Sequence, residues 1–282
     1  MKIQNKMTKL RDIQLIELEI LKEIDRICKK NNIEYFLDSG TVLGAVRHKG
    51  FIPWDDDIDI GMTRKNYEKF LKIAPKELKI DYFLQNTQTE KECPQLYTKI
   101  KKNNTLYVSW ACRNLNIHQG IYVDIFPYDY CSDNISSKKL IKKYKFLNKI
   151  FTYKAIPDRA KLPEKNIKWI IGSVFRRLLY YMLFLFPKQV LLKEIQKIIN
   201  KFNFEEGNCL ISLTQEAIMF KKEEIEPLSY IEFEKIKFPV PNNTDIYLSK
   251  LYENYMKLPP IDKRKGHPIY KCSISKGNVD ES

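Results

Sequence analysis

The run Trp54-Asp55-Asp56-Asp57-Ile58-Asp59-Ile60 limits the fold more than any other stretch of the chain. Carboxylates this crowded repel one another by on the order of 1 kcal/mol per close pair even in water, so something positive must sit among them. Ile58, Ile60 and Met62 alternate with Asp57, Asp59 and Gly61 in the period of a strand. Such a strand buries its isoleucines and projects Asp57 and Asp59 from one face, close enough to share a divalent ion. Hard oxygen ligands suit Mg2+ or Mn2+, and Mg2+ takes one or two carboxylates plus phosphate oxygens from a substrate. A calcium loop of the EF-hand type starting at Asp55 fails on position, because its sixth and twelfth places hold Ile60 and Asn66 instead of Gly and Glu. A merely acidic surface turn fits poorly too, since surface acids are rarely interleaved with Ile and preceded by Trp.

A metal pair in phosphoryl transfer holds the attacking and leaving oxygens, and a third carboxylate from another strand completes the cage. In Gly120-Ile121-Tyr122-Val123-Asp124-Ile125-Phe126 the residues 121, 123 and 125 face one way, which leaves Asp124 on the other face as the candidate. Upstream, Ile13, Ile16, Ile20, Ile24 and Ile27 align on one face of an opening helix that Asn31-Asn32 stops. A short strand over 33–37 and the turn Asp38-Ser39-Gly40-Thr41, which can cap a helix over 42–47, come next. Small residues at a helix N-terminus let backbone N–H groups approach an anion, so Ser39-Gly40-Thr41 suits phosphate once the acidic strand lies beside it. With a helix over 64–73 and weaker strands over 82–84 and 96–100, this part reads as a mixed α+β domain.

Beyond Pro127 lysine, isoleucine and leucine recur at helical spacing over 138–151 and 189–202, so this half is expected to be mainly helical. The most apolar segment, 169–186, is broken by Arg176 and Arg177 and falls short of a spanning helix; a buried helix is preferred to one lying on a membrane surface. A last helix is expected over 248–260, then the basic loop Asp262 to His267 and a loose tail from Lys276 to Ser282. Trp54 is expected to pack beneath the acidic strand. The excess of 49 Lys+Arg over 35 Asp+Glu favours polyanionic partners, whether nucleic acid, anionic lipid or phosphorylated substrate. The basic residues are not interleaved with aromatics in a nucleic-acid-binding motif, so nucleic acid is set aside. The cysteines form no C-x-x-C pair and are read as reduced thiols, and residues 1–6 lack the apolar core of a signal peptide. Both point to the cytoplasm.

Residues 37–60, Leu37-Asp38-Ser39-Gly40-Thr41-Val42-Leu43-Gly44-Ala45-Val46-Arg47-His48-Lys49-Gly50-Phe51-Ile52-Pro53-Trp54-Asp55-Asp56-Asp57-Ile58-Asp59-Ile60, closely resemble the signature of the LicD family. Tyr122-Val123-Asp124-Ile125-Phe126-Pro127 is similar to the family's second motif, and Leu251-Tyr252 with Tyr255-Met256-Lys257-Leu258-Pro259-Pro260 to a C-terminal block. The family takes in fukutin-related protein and bacterial phosphocholine transferases. The resemblance implies a polymerase β-like nucleotidyltransferase fold, with 1–132 as the catalytic core. It leaves 133–240 as a mainly helical, acceptor-binding or membrane-proximal region, and 241–275 as a C-terminal helix and basic loop on the core. It implies transfer of a phosphorylated alcohol, phosphocholine or a relative, from a CDP-linked donor to a hydroxyl of a cell-surface glycan or its lipid-linked precursor, such as teichoic acid, capsule or lipopolysaccharide. CMP is then the leaving group. On that mapping Asp57 and Asp59 hold the metals, Asp124 completes the cage or takes the acceptor's proton, and Ser39, Gly40 and Thr41 hold donor phosphate. Arg47 and Lys99 neutralise phosphate charge. A peripheral position at the inner face of the membrane would bring such an enzyme to a lipid-linked acceptor. The alternative is a true nucleotidyltransferase that leaves the nucleotide on a small molecule and releases pyrophosphate.

Overall fold

The computed structural model describes residues 2–158, 167–202 and 207–274. Along the chain run α1 (Lys2–Lys30), β1 (Phe36–Leu37), α2 (Ser39–His48), β2 (Asp59–Thr63), α3 (Arg64–Glu77), β3 (Tyr82–Gln85), β4 (Thr98–Lys102), β5 (Leu106–Ser109) and β6 (Tyr122–Cys131). There follow α4 (Ile135–Ala155), α5 (Ile167–Phe184), α6 (Lys188–Ile199), β7 (Cys209–Ile211), β8 (Met219–Lys221), α7 (Lys222–Ile225), β9 (Ser229–Phe233), β10 (Ile236–Val240), α8 (Thr244–Tyr252) and β11 (Ile269–Ser273). The main sheet has the order β1-β2-β6-β4-β3, extended by β7 and β8 at the far end of β6. Strands β2 and β6 run parallel, and the other described pairs, including the β9/β10 hairpin and β5/β11, are antiparallel. This is the mixed α+β architecture expected.

The isoleucine stripe of α1 lies on the sheet. Ile20, Ile24 and Ile27 are fully buried against a layer that includes Ile58, Ile60, Met62, Val123 and Ile125. Each such side chain taken from water contributes about 1.5–3 kcal/mol, so the alternation read from the sequence also supplies the core. Parallel β2 and β6 sit in the middle of the sheet, covered on both sides, which fixes their register tightly. A second apolar cluster, centred on Tyr144, Phe151, Leu191 and Ile195, joins α4 and α6 to the end of β6 and β7. A buried ion pair ties α3 to β6: Arg64 Nε lies 2.7 Å from Asp129 Oδ1, and its second nitrogen donates to Oδ2 at 2.8 Å.

Several expectations need correction. The stretch 207–240 carries β7 to β10, because short β-branched and aromatic runs there find partners that local periodicity does not reveal. The C-terminal helix is Thr244–Tyr252, not 248–260: the Asn243 side chain accepts from Ile246 N–H to start it, and Glu253 at φ 52° ends it. Helix α5 forms where expected but is not buried. Ile171, Val174, Phe175, Leu178 and Met182 are each more than half exposed on one face, while Arg176 turns inward to the carbonyls of Thr152 and Ile156 at the end of α4. Among the described residues no single helix is long and apolar enough to cross a membrane. Trp54 is half-buried against the core, with Arg264 5.2 Å above its ring. The tail from Lys276 to Ser282 lies outside the described residues.

Candidate active site

The register of the sheet sets one row of polar residues side by side. Asp59 stands opposite Asp124, Asp124 opposite Lys99, and Lys99 opposite Gln85. Lys99 Nζ lies 2.7 Å from Asp124 Oδ1 and donates to Oδ2 at 3.0 Å, and the face of the Tyr122 ring is 3.4 Å away. The Oδ1 contact lacks hydrogen-bonding geometry, so that buried oxygen accepts no hydrogen bond. Asp59 has no basic partner among the described residues. Burial, then the carboxylates of Asp57, Asp124, Asp38 and Asp55, raise its pKa well above the usual range.

Asp57 is not on the strand, as β2 begins at Asp59. The parallel ladder starts one residue earlier, where Asp124 N–H donates to Ile58 C=O at 2.9 Å, and this leaves Asp57 on the loop that delivers β2. Tertiary anchors override the strand period there. Gln14 of α1 donates to Asp55 C=O at 2.9 Å, and buried Asp56 accepts from Tyr107 Oη at 2.5 Å and from the His267 backbone N–H at 3.0 and 3.1 Å. His267 Nδ1 lies 3.0 Å from Asp56 Oδ1 and 3.7 Å from Asp57 Oδ2. Gly266 makes this approach feasible, since a Cβ there would stand 2.7 Å from Asp56 Oδ1. Burial works against a charge on Asp56, but the bonds from His267 and Tyr107 outweigh it and hold the carboxyl below its usual range. The hydrogen bond to Asp56 raises the His267 imidazole to about 9 despite burial, so it is cationic at neutral pH. Asp57 is pushed up to about 7 by burial and by Asp55, with Asp124 and Asp56 adding to the effect.

The expected turn 39–41 is the first turn of α2 itself. Thr41 Oγ1 accepts from Asp59 N–H at 2.9 Å and Asp38 N–H donates to Asp59 C=O at 2.9 Å, which locks the helix start onto the acidic strand. Ser39 has a positive φ of 46°, in the left-handed region that costs a non-glycine residue about 1–2 kcal/mol. Gly40 is pressed close to the run: a Cβ there would stand 3.1 Å from Asp55 Oδ2. Asp38 occupies the N-cap position but does not cap. Its buried carboxylate accepts from the hydroxyls of Tyr247 and Tyr128, the latter at 2.9 and 3.0 Å, and from Ser39 Oγ at 3.1 Å.

Of the residues expected to act together, the fold brings Asp57, Asp59, Asp124, Lys99 and Ser39 to Thr41 into one region. Lys99 faces a carboxylate and an aromatic ring. Arg47 is placed differently: at the other end of α2, it donates to Tyr255 C=O at 2.8 Å and to His48 Nε2 at 3.0 Å. Three features of the donor set fit a hard divalent ion. The candidate ligands are carboxylate oxygens, Asp124 Oδ1 is buried without a hydrogen bond, and the charged groups that raise Asp59 are the acids Asp57, Asp124, Asp38 and Asp55. Among the described residues the donor atoms converging to within 4.8 Å are those of Asp56, Asp57 and His267, a trio sharing only Asp57 with the expected one. Cationic His267 draws Asp56 and Asp57 together, while Lys99 holds Asp124 toward its own strand.

Glu17 was missed. It is 1% exposed, its Oε2 has no partner, and burial plus Asp57, Asp56, Asp55 and Asp124 raise its pKa well above the usual range. Its signal was available, since Gln14 and Glu17 fall at helical spacing within the buried isoleucine face of α1. His267 left no such trace, being 211 positions from Asp56.

Residues 32–168 match the family described as LicD/FKTN/FKRP, nucleotidyltransferase domain. The chain is 31% identical to the lipopolysaccharide cholinephosphotransferase LicD of Haemophilus influenzae over 288 aligned residues, which cover 94% of this chain and 98% of that protein. An uncharacterized protein of Rickettsia typhi is 32% identical over 54% of this chain and 45% of its own length, and one of Rickettsia prowazekii is 32% identical over 45% and 46%. Coverage of nearly the whole H. influenzae protein by nearly the whole chain, with the acidic row inside the matched segment, shows that the chain belongs to the LicD family.

Proposed function

We propose that the protein transfers a phosphorylated alcohol, phosphocholine or a close relative, from a CDP-linked donor to a sugar hydroxyl of a cell-surface glycan or its lipid-linked precursor. The observation that carries this reading is the register that sets Asp59 beside Asp124, with the start of α2 bonded to Asp59 through Thr41. The similarity to a lipopolysaccharide cholinephosphotransferase supports lipopolysaccharide or a like glycan as acceptor. We read the core as a polymerase β-like nucleotidyltransferase fold. Residues 1–132 form the catalytic part, 133–240 the acceptor-binding or membrane-proximal part and 241–275 the C-terminal closure of the site.

Asp57, Asp59 and Asp124 would hold Mg2+ or Mn2+, which supplies charge neutralisation at the donor's phosphates and a template for in-line displacement. The chain's own groups do the rest. The first turn of α2, Ser39 to Thr41, orients the donor phosphate through the Gly40 N–H, since Ser39 N–H donates to Tyr247 Oη at 3.1 Å and Thr41 N–H to Asp38 C=O at 3.0 Å. The acceptor oxygen forms a bond to the phosphorus of the phosphorylated alcohol, the bond from that phosphorus to the CMP oxygen breaks, and the hydroxyl proton passes to the Asp124 carboxylate. Lys99 pairs with that carboxylate at 2.7 Å and fixes its position in the row. Incubating the protein with CDP-choline and a glycan acceptor should release CMP. Pyrophosphate released from a nucleoside triphosphate, with nucleotide left on the acceptor, would replace this reading by nucleotidyl transfer.

The exposed apolar face of α5, with exposed Lys168 and Arg177 and the net charge of +14, supports peripheral attachment to an anionic membrane. Flotation with phosphatidylglycerol vesicles should carry the protein, and the double substitution Phe175→Ser with Leu178→Ser should leave it in the soluble fraction. Equal flotation of both would remove α5 from this role.

A further inference from the structure

A cavity of about 340 Å³ opens directly beside the acidic row, with Ser39 and Asp59 on one wall. Its other walls include the aromatic rings of Tyr97, Phe126, Tyr128, Phe220 and Tyr252. Tyr97 and Phe126 pack against each other with centroids 4.5 Å apart, and Tyr128 is fixed by its hydroxyl bonds to buried Asp38. Among the described residues of a chain of net charge +14 no lysine or arginine lines this space, and its ionisable walls are Asp59, Glu216 and the tyrosines; Lys99 Nζ, 5.5 Å from the Tyr97 ring, is paired with Asp124. Asp38 lies just behind the Tyr128 wall and adds a further acidic group.

A phosphate or sulfate finds no cation in this lining among the described residues. A primary ammonium could donate to the polar wall of Ser212, Thr214, Gln215 and Glu216, but on the wall of Tyr97, Phe126 and Tyr252 its N–H groups would face ring carbons. A quaternary ammonium has no N–H to satisfy, is attracted to the faces of aromatic rings, and gains from carboxylates it need not touch. The size suits a small cationic headgroup with room for its linker, at the lower end of ordinary ligand pockets. Resting on the transferase reading above, we infer that this cavity is the subsite for the quaternary ammonium of the donor's alcohol, with Tyr97 and Tyr252 as the rings that select it. Tyr252 is 40% exposed at the end of α8, so it forms the mouth, and Tyr97 leads inward to Phe126. The alternative occupant of the same rings is the cytosine base, which would stack there without regard to charge.

The test separates these by charge at constant shape. Binding of phosphocholine and of 3,3-dimethylbutyl phosphate, its uncharged carbon isostere, is measured by isothermal titration with the full chain in Mg2+. Phosphocholine should bind about tenfold or more tightly, and Tyr252→Leu and Tyr97→Leu should each cut that ratio several-fold. Tyr252 is half in solvent, so its variant keeps the fold even if the Tyr97 variant does not. Equal binding of the two ligands by the unaltered protein overturns the proposal, as does a ratio that neither substitution moves. A loss of CMP binding in the variants with the ratio unchanged would give the rings to the base and overturn it too. CMP release from CDP-choline is followed separately: its absence counts against the transferase reading, whereas the binding ratio decides the cavity.

Discussion

Replacing Asp59 by asparagine should stabilise the metal-free protein. Asp59 and Asp124 are direct neighbours on parallel strands whose backbones lie about 5 Å apart, and that spacing serves as the scale for their carboxylates. At an effective dielectric of about 20, two unit charges at that distance repel by about 3 kcal/mol, and partial protonation and the nearby Lys99 reduce this to roughly 1–3 kcal/mol. Asp57 and Asp59 have folded-state pKa values above their unfolded ones, Asp57 at about 7. Their contribution to stability is therefore fully present below the unfolded value near pH 4 and is lost as pH rises through 7. In EDTA the wild type should lose stability between pH 4 and 7.5 through these groups. Asp59→Asn should flatten that slope and raise Tm at pH 7.5 by about 2–4 °C for each kcal/mol regained. Thermal melts with and without millimolar Mg2+ provide the assay. The ion should raise the wild-type Tm and move the variant little, because binding to the folded state alone stabilises it. A variant that melts lower than wild type in EDTA, or gains as much from Mg2+, would refute the crowding argument.

Three further outcomes follow from the same structure. Arg64→Ala should cost about 3–5 kcal/mol by urea denaturation, because it strands buried Asp129, and it should leave the affinity of the remaining folded protein for donor unchanged. Gly266→Ala should force the His267 loop off Asp56, lowering donor affinity more than stability in paired titration and melting experiments. The His267 to Asp56 clasp should be at full strength between about pH 4 and 6.5 and fade as pH approaches 9, seen as loss of protection of the 264–267 amides in hydrogen exchange.

The sequence made legible whatever depends on local period. Ile58, Ile60 and Met62 announced a buried strand, residues 121, 123 and 125 another, and the polar side of the second exposed Asp124 as a partner for the run. The parallel register that sets Asp59 against Asp124 has no local signature and arises from sheet assembly. Asp57 was misplaced onto the strand because Gln14, Tyr107 and His267, each remote in sequence, hold residues 55–57 in a loop. The Asp38 network depends on Tyr128 and Tyr247, which converge only after β6 and α8 are in place. Helix α5 leaves an apolar face exposed although its composition predicts burial, because apolar content alone does not say which faces find a neighbour.

On the proposed function, Asp57, Asp59 and Asp124 form one metal-dependent phosphotransfer site. CMP release from CDP-choline, measured with a glycan acceptor in Mg2+ for the wild type and for Asp57→Asn, Asp59→Asn and Asp124→Asn, tests it most directly. Magnesium-dependent release by the wild type, abolished in each variant while its melting remains cooperative, is the predicted result. Near-normal release by any one variant, or release that persists in EDTA, would contradict it.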